Sequence, residues 1–181
     1  MRPYSYSDEG IVLARRNYGE ADRIISVYTK NHGRVSLIAK AVRRPESRKR
    51  GHLEIFSLIR FQAVSSRGLD LMPEVEVITN FREIRKSLKR ISLAYYFCEV
   101  VSKITHEGEP HLEVFNLLVE NLDKLQTAKQ LKKLRLDFIL RLLIVLGYWP
   151  QGKFLVNPDE KLAEVIERQV ASVRVGKRML Q

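Results

Sequence analysis

Apolar and polar positions alternate through the first 80 residues, and the alternation predicts five short strands. Gly10 to Leu13 is one, followed by the polar run Arg15-Arg16-Asn17-Tyr18-Gly19-Glu20, which reads as a turn. Arg23 to Thr29 is rich in β-branched and aromatic residues and forms the second, closed by the tight turn Asn31-His32-Gly33. In Arg34 to Ala39, Val35, Leu37 and Ala39 share one face at the two-residue period of a strand. A fourth strand spans Leu53 to Val64, with Ile55, Ile59, Phe61 and Ala63 on one side. The fifth runs from Leu69 to Thr79 and bends at Pro73, because proline cannot donate to a central ladder. Val75 and Val77 face one way, Glu74 and Glu76 the other.

From Phe81 the period becomes helical. Ile84, Leu88, Ile91, Tyr95 and Cys98 fall on one stripe, and Arg82, Lys86 and Lys89 form a basic stripe elsewhere on the same helix. A second helix starts near Pro110 and carries Val114, Leu117, Leu118, Asn121 and Leu125. Leu131 to Leu146, apolar on nearly every side past Leu136, is the expected centre of a small bundle, ended by Gly147. Pro158 to Ala171 gives a last amphipathic helix, and the basic tail Val173 to Gln181 stays unassigned. The predicted fold is α+β, with a β domain over 1–80 and a helical domain over 81–181. Five strands with the longest interruption between the third and fourth match a small Greek-key barrel of the OB type, although another five-stranded barrel gives the same pattern.

That interruption, Lys40 to Gly51, holds six basic residues and one acid. Bounded by Pro45 and Gly51, it is too polar for a core, and its cations belong in water or against a polyanion. The whole chain carries a net charge of +11, with 14 Lys and Arg against 9 acids in residues 1–80 and 18 against 12 in 81–181. An excess spread over both parts favours nucleic acid or another anionic surface and says nothing about sequence preference. The expected DNA-binding residues are Arg15, Arg16, Arg34, Lys40, Arg43, Arg44, Arg48, Lys49 and Arg50, with Arg67 on the far turn. Tyr18 and Tyr28 are the candidates for base stacking, against ordinary half-buried packing. Arg82, Lys86 and Lys89 offer a secondary surface for DNA or an acidic peptide, although such a stripe is usually just the wet side of a helix.

Catalysis is not expected. The chain has no phosphate-binding Gly-rich loop, dinucleotide fingerprint or nucleophile elbow. His32, His52, His106 and His111 lack metal-ligand spacing, and the lone Cys98 makes neither an internal disulfide nor a multi-cysteine zinc site, so no metal or cofactor is expected. Cys98 reads as a small buried hydrophobe. A lone cysteine fits a cytoplasmic protein, and the most apolar run, Leu136 to Trp149, is broken by Asp137 and Arg141 and is too short for a bilayer, so no membrane role is expected.

Three runs give a sharper indication. Glu9-Gly10-Ile-Val-Leu13, Tyr18-Gly-Glu20-Ala-Asp22-Arg23-Ile-Ile, and His32-Gly-Arg34-Val-Ser-Leu-Ile-Ala-Lys40 with Arg43-Arg44-Pro-Glu-Ser47-Arg48 resemble the amino-terminal domain of the RecO family of bacterial recombination mediators. Weaker likeness continues through Gly68-Leu-Asp70-Leu, Tyr95 to Val101 and Leu142 to Tyr148. The resemblance implies an OB domain and a helical domain that bind single- and double-stranded DNA, anneal complementary strands and, with RecR, help load RecA onto DNA coated with single-strand binding protein. It further implies that the acidic tail of single-strand binding protein docks on the helical domain, in a nucleoid-associated bacterial protein. Two departures stand out: the four-cysteine zinc element of many relatives is missing, and Ala41 replaces a frequent glycine after the lysine. The chain is also short for the family. A protein-only adaptor and an RNA-binding factor are the competing readings.

Overall fold

The computed structural model of the chain describes residues 4–179, with the backbone alone for Arg48, Arg50 and 169–179. Five strands close into a barrel: β1 (Ser5–Tyr18), β2 (Asp22–Thr29), β3 (Gly33–Ala39), β4 (Leu58–Val64) and β5 (Asp70–Thr79). Their order around the barrel is β1-β2-β3-β5-β4, with β4 returning to β1. Only β3 and β5 run parallel, and the long connection this needs, residues 40–69, includes the segment 40–57 and β4. This is an OB-type barrel followed by helices, as the alternation predicted. Val12, Ile25, Val27, Leu37, Ile59, Phe61 and Ala63 fill its interior.

Four helices follow: α1 (Leu88–Ile104), α2 (Leu112–Leu125), α3 (Leu131–Val145) and α4 (Pro158–Met179). The chain divides into two compact units, Met1–Thr127 and Ala128–Gln181. In the first, α1 and α2 pack against β1 and each other. Leu93, Phe97, Cys98, Val101 and Ile104 of α1 are buried, as are Val114, Leu117, Leu118, Asn121 and Leu125 of α2.

Several boundaries differ from the sequence expectation, each for an identifiable reason. β1 does not stop at Leu13. It continues through the polar run to Tyr18, because Asn17 and Tyr18 pair with Arg23 and Asp22 and leave only three residues for the turn. Residues 53–57 are not strand: Phe56 adopts φ +57°, its N–H donates to Val12 C=O at 2.8 Å, and Leu53 turns into the barrel core. The bend expected at Pro73 occurs as a register shift, where β5 spends one residue more than β4 between the Gln62↔Glu74 and Val64↔Leu71 pairs.

No helix begins at Phe81. That residue is buried with φ +49°, so the chain turns, makes a short 3-10 segment at Ile84–Lys86 and enters α1 only at Leu88. The expected apolar stripe is therefore wrong in part. Leu88 is 78% exposed and Tyr95 is exposed as well, while Leu93, Ala94, Phe97 and Val101 take the buried face. For the same reason Arg82, Lys86 and Lys89 do not share a helix.

Within the second unit α3 packs on α4. Gly147, at φ +77°, ends α3 with the Gly147 N–H donating to Ile144 C=O at 3.0 Å and Tyr148 N–H to Leu143 C=O at 2.8 Å, the left-handed glycine cap that the sequence suggested. Arg135 grips both carboxylate oxygens of Asp159 in the first turn of α4. The helix continues past the expected end at Ala171 to Met179; Leu180 and Gln181, the end of the basic tail, lie outside the described residues.

Candidate nucleic-acid interface

The crossover 40–57 is not a loose loop. Val42 and Leu53 are fully buried and plug one end of the barrel, so their burial anchors the basic segment between them. At its start Ala41 N–H donates to Asp22 Oδ1 at 2.7 Å, with Ala41 in the left-handed region at φ +56°. Arg43 N–H donates to Ala21 C=O at 2.8 Å, and Arg43 Nη1 reaches Gly19 C=O at 3.3 Å. Three bonds thus bind the start of the crossover to the β1–β2 turn. The two segments that sequence alone shows as separate form one surface at the plugged end.

A bulge in β1 decides which side chains join it. Between Val12↔Val27 and Ala14↔Ser26, β1 contributes one residue more than β2. Directly opposed residues share a face, so past this point Arg15 lies on the side of Ile25 and Arg16 on the outer side with Ile24. Arg15 accordingly pairs with Glu54 at 2.5 Å. Arg16, Lys40, Arg43 and Arg44 are exposed, and among the described residues none has a carboxylate at ion-pair distance. The Tyr18 ring, 51% exposed, stands among them. Four cations and one aromatic ring at one barrel end are suited to phosphate and to a stacked base.

The other expected residues are elsewhere or otherwise engaged. Lys49 Nζ donates to Met72 C=O at 3.3 Å, turning that ammonium toward β5. Arg48 and Arg50 lie on a 3-10 segment, Arg48–Gly51, and their side chains are outside the described residues. Arg67, in the β4–β5 turn, and Arg34, at the start of β3, sit at the opposite end of the barrel. Tyr28 is 0% exposed and cannot stack on a base in this structure; burial pushes its phenol up to about 12. Of the secondary surface, Lys86 pairs with Glu83 at 2.6 Å, while Arg82 and Lys89 are exposed on separate segments.

Two organising residues gave no sequence signal. Arg85 donates from Nη2 to Ile55 C=O and Ser57 Oγ, both at 3.1 Å, and from Nε to Asn80 C=O at 3.0 Å, and its guanidinium carbon lies 4.1 Å from the Phe56 ring centroid. Burial lowers its pKa from the ordinary value. Asp8, buried at the far barrel end, accepts from Asn31 N–H at 3.0 Å and Nδ2 at 2.8 Å, and lies 2.6 Å from His32 Nδ1. Both fix loops rather than face solvent.

Comparison with known proteins bears on both parts of the fold. The family model "Recombination protein O N terminal" matches residues 1–81, the barrel, and "Recombination protein O C terminal" matches 85–166. Curated relatives named DNA repair protein RecO include those of Pelotomaculum thermopropionicum, 38% identical over 145 residues (80% of this chain, 56% of the relative), and Rubrobacter xylanophilus, 38% over 147 (81% and 59%). That of Dehalococcoides mccartyi is 30% identical over 161 residues, 89% of this chain and 64% of the relative. The chain thus spans roughly six-tenths of the length of these relatives. No helix among the described residues is long and apolar enough to cross a membrane. With the barrel and the helices each matched in chain order, the chain belongs to the RecO family of DNA repair and recombination proteins.

Proposed function

We propose that this chain binds the sugar-phosphate backbone of single- and double-stranded DNA through the plugged end of its barrel and anneals complementary strands. The observation that carries the reading is the joining of the β1–β2 turn to the crossover, which gathers Arg16, Lys40, Arg43 and Arg44 beside Tyr18. Neutralising phosphates on two strands lowers their repulsion, and base pairing then drives annealing without ATP or a bond-making residue. Residues 1–80 act as the DNA-binding domain and 81–181 as a helical partner domain.

The helical partner of this reading is an acidic peptide, the tail of single-strand binding protein. Leu131, Leu136 and Leu140 of α3, with Phe154, Leu155 and Val156 of the following segment, line an apolar groove of about 880 Å³. Phe154 and Val156 are each 86% exposed, and Lys132 and Lys133 stand at its rim. Apolar anchors with cations alongside suit such a tail. Together with RecR, the protein would then help load RecA onto coated DNA in the bacterial cytoplasm. A strand-annealing assay with and without single-strand binding protein tests this. Annealing faster than the uncatalysed rate, quickest at low salt, supports the reading; no acceleration at any salt contradicts it.

A further inference from the structure

The outer face of β2 and β3 is the surface on which OB-type barrels commonly hold oligonucleotides, and in this chain it is covered. Val27 and Val35 point into the core, so Ser26 with Ser36 and Tyr28 with Arg34 project outward. Residues 105–111, which join α1 to α2, lie along this outward face. Arg34 and Glu107 form a parallel bridge, Gly108 N–H donates to Arg34 C=O at 3.0 Å, and the strap runs so close that a Cβ on Gly33 would meet Glu109 O at 2.3 Å.

The cover is poorly matched to what it hides. Ser26 Oγ and Arg34 Nε are buried with no hydrogen-bond partner among the described residues. The Tyr28 hydroxyl is met by the backbone of His111 and stands near the carboxylate of Glu109, both in the strap. Each unpaired buried polar group costs about 1–3 kcal/mol, and two of them lie on one sheet face. Against that, residues 106–111 are exposed, a profile that favours local opening.

We propose that residues 105–111 form a displaceable acidic strap that competes with single-stranded nucleic acid for the β2–β3 face. Closed, the strap sets Glu107 and Glu109 where a strand would bring its phosphates. Open, Arg34 offers a cation, Tyr28 a ring and Ser26 a hydroxyl, and the two orphaned groups gain a polar ligand. The inference rests on the nucleic-acid reading above and adds to it a second, gated contact.

Amide hydrogen exchange on the full chain, with and without a saturating dT oligonucleotide, reads the strap directly. The Gly108 amide is expected to exchange about tenfold faster or more with the oligonucleotide bound; unchanged or slower exchange in the bound state overturns the strap and leaves the barrel-end interface standing. Affinity gives an independent reading. The E107Q/E109Q variant should bind dT several-fold tighter than E74Q/E76Q, which removes equal charge from the open face of β5, and equal gains overturn the proposal. Failure of the wild-type chain to bind dT even at low salt overturns both this inference and the function on which it rests.

Discussion

Asp22 Oδ1 accepts the N–H of Ala41 at 2.7 Å, and Ala41 holds φ +56° to make that bond. The carboxylate thereby sets the angle at which the basic segment leaves β3. An alanine in the left-handed region is strained by about 1 kcal/mol relative to glycine, the residue frequent here in the family this chain resembles. Ala41→Gly should therefore stabilise the fold by about 1 kcal/mol, and Asp22→Ala should cost about 1.5–3 kcal/mol. Urea denaturation of the two variants checks both signs.

Arg85 is the second test of the frame. Its guanidinium joins the 52–57 turn, the Asn80 backbone and the Phe56 ring, a planar set of contacts that an ammonium cannot reproduce. Arg85→Ala should destabilise by about 2–4 kcal/mol, and Arg85→Lys should recover less than half of that. Chemical denaturation midpoints decide it.

Alkaline pH should weaken the fold. Burial raises the Tyr6 and Tyr28 phenols from 10.0 and the Cys98 thiol from 9.0, each to about 12. The folded state therefore holds these protons more tightly than the unfolded chain, so the stabilisation is complete below about pH 9 and is lost as pH rises toward 12. Thermal unfolding from pH 8 to 11 should show a falling Tm. At pH 8 the Cys98 thiol should react with a disulfide reagent only after denaturant is added.

Much of the barrel was legible because β-strand alternation is local: Val35-Leu37-Ala39 and Ile59-Phe61-Ala63 point inward as their spacing indicates. The errors arose where distant segments decide. Arg15 to Tyr18 is polar enough for a turn, yet β2 extends it as strand. Tyr28 sits at a position that alternation exposes, yet it is fully buried, with His111 and Glu109 of the segment 105–111, nearly 80 residues later, against its hydroxyl. The DNA candidates were visible as charge, but their sorting was not. Arg43 and Arg44 were brought to Arg16 by hydrogen bonds to the β1–β2 turn, and Arg34 and Arg67 were carried to the other end by topology.

The central claim is that the cations at the plugged barrel end meet phosphate, and the salt dependence of affinity measures this most directly. If Arg16, Lys40, Arg43 and Arg44 engage single-stranded DNA, log affinity falls against log salt with a slope of about −3; removing two contacts in R43A/R44A should make it shallower by about 1.4 and weaken binding at low salt. The main-chain bond from Arg43 to Ala21 survives that substitution, so the fold should hold. Anisotropy titrations of a dT oligonucleotide across a salt series are expected to show both changes. An unaltered slope and affinity in R43A/R44A would contradict the account.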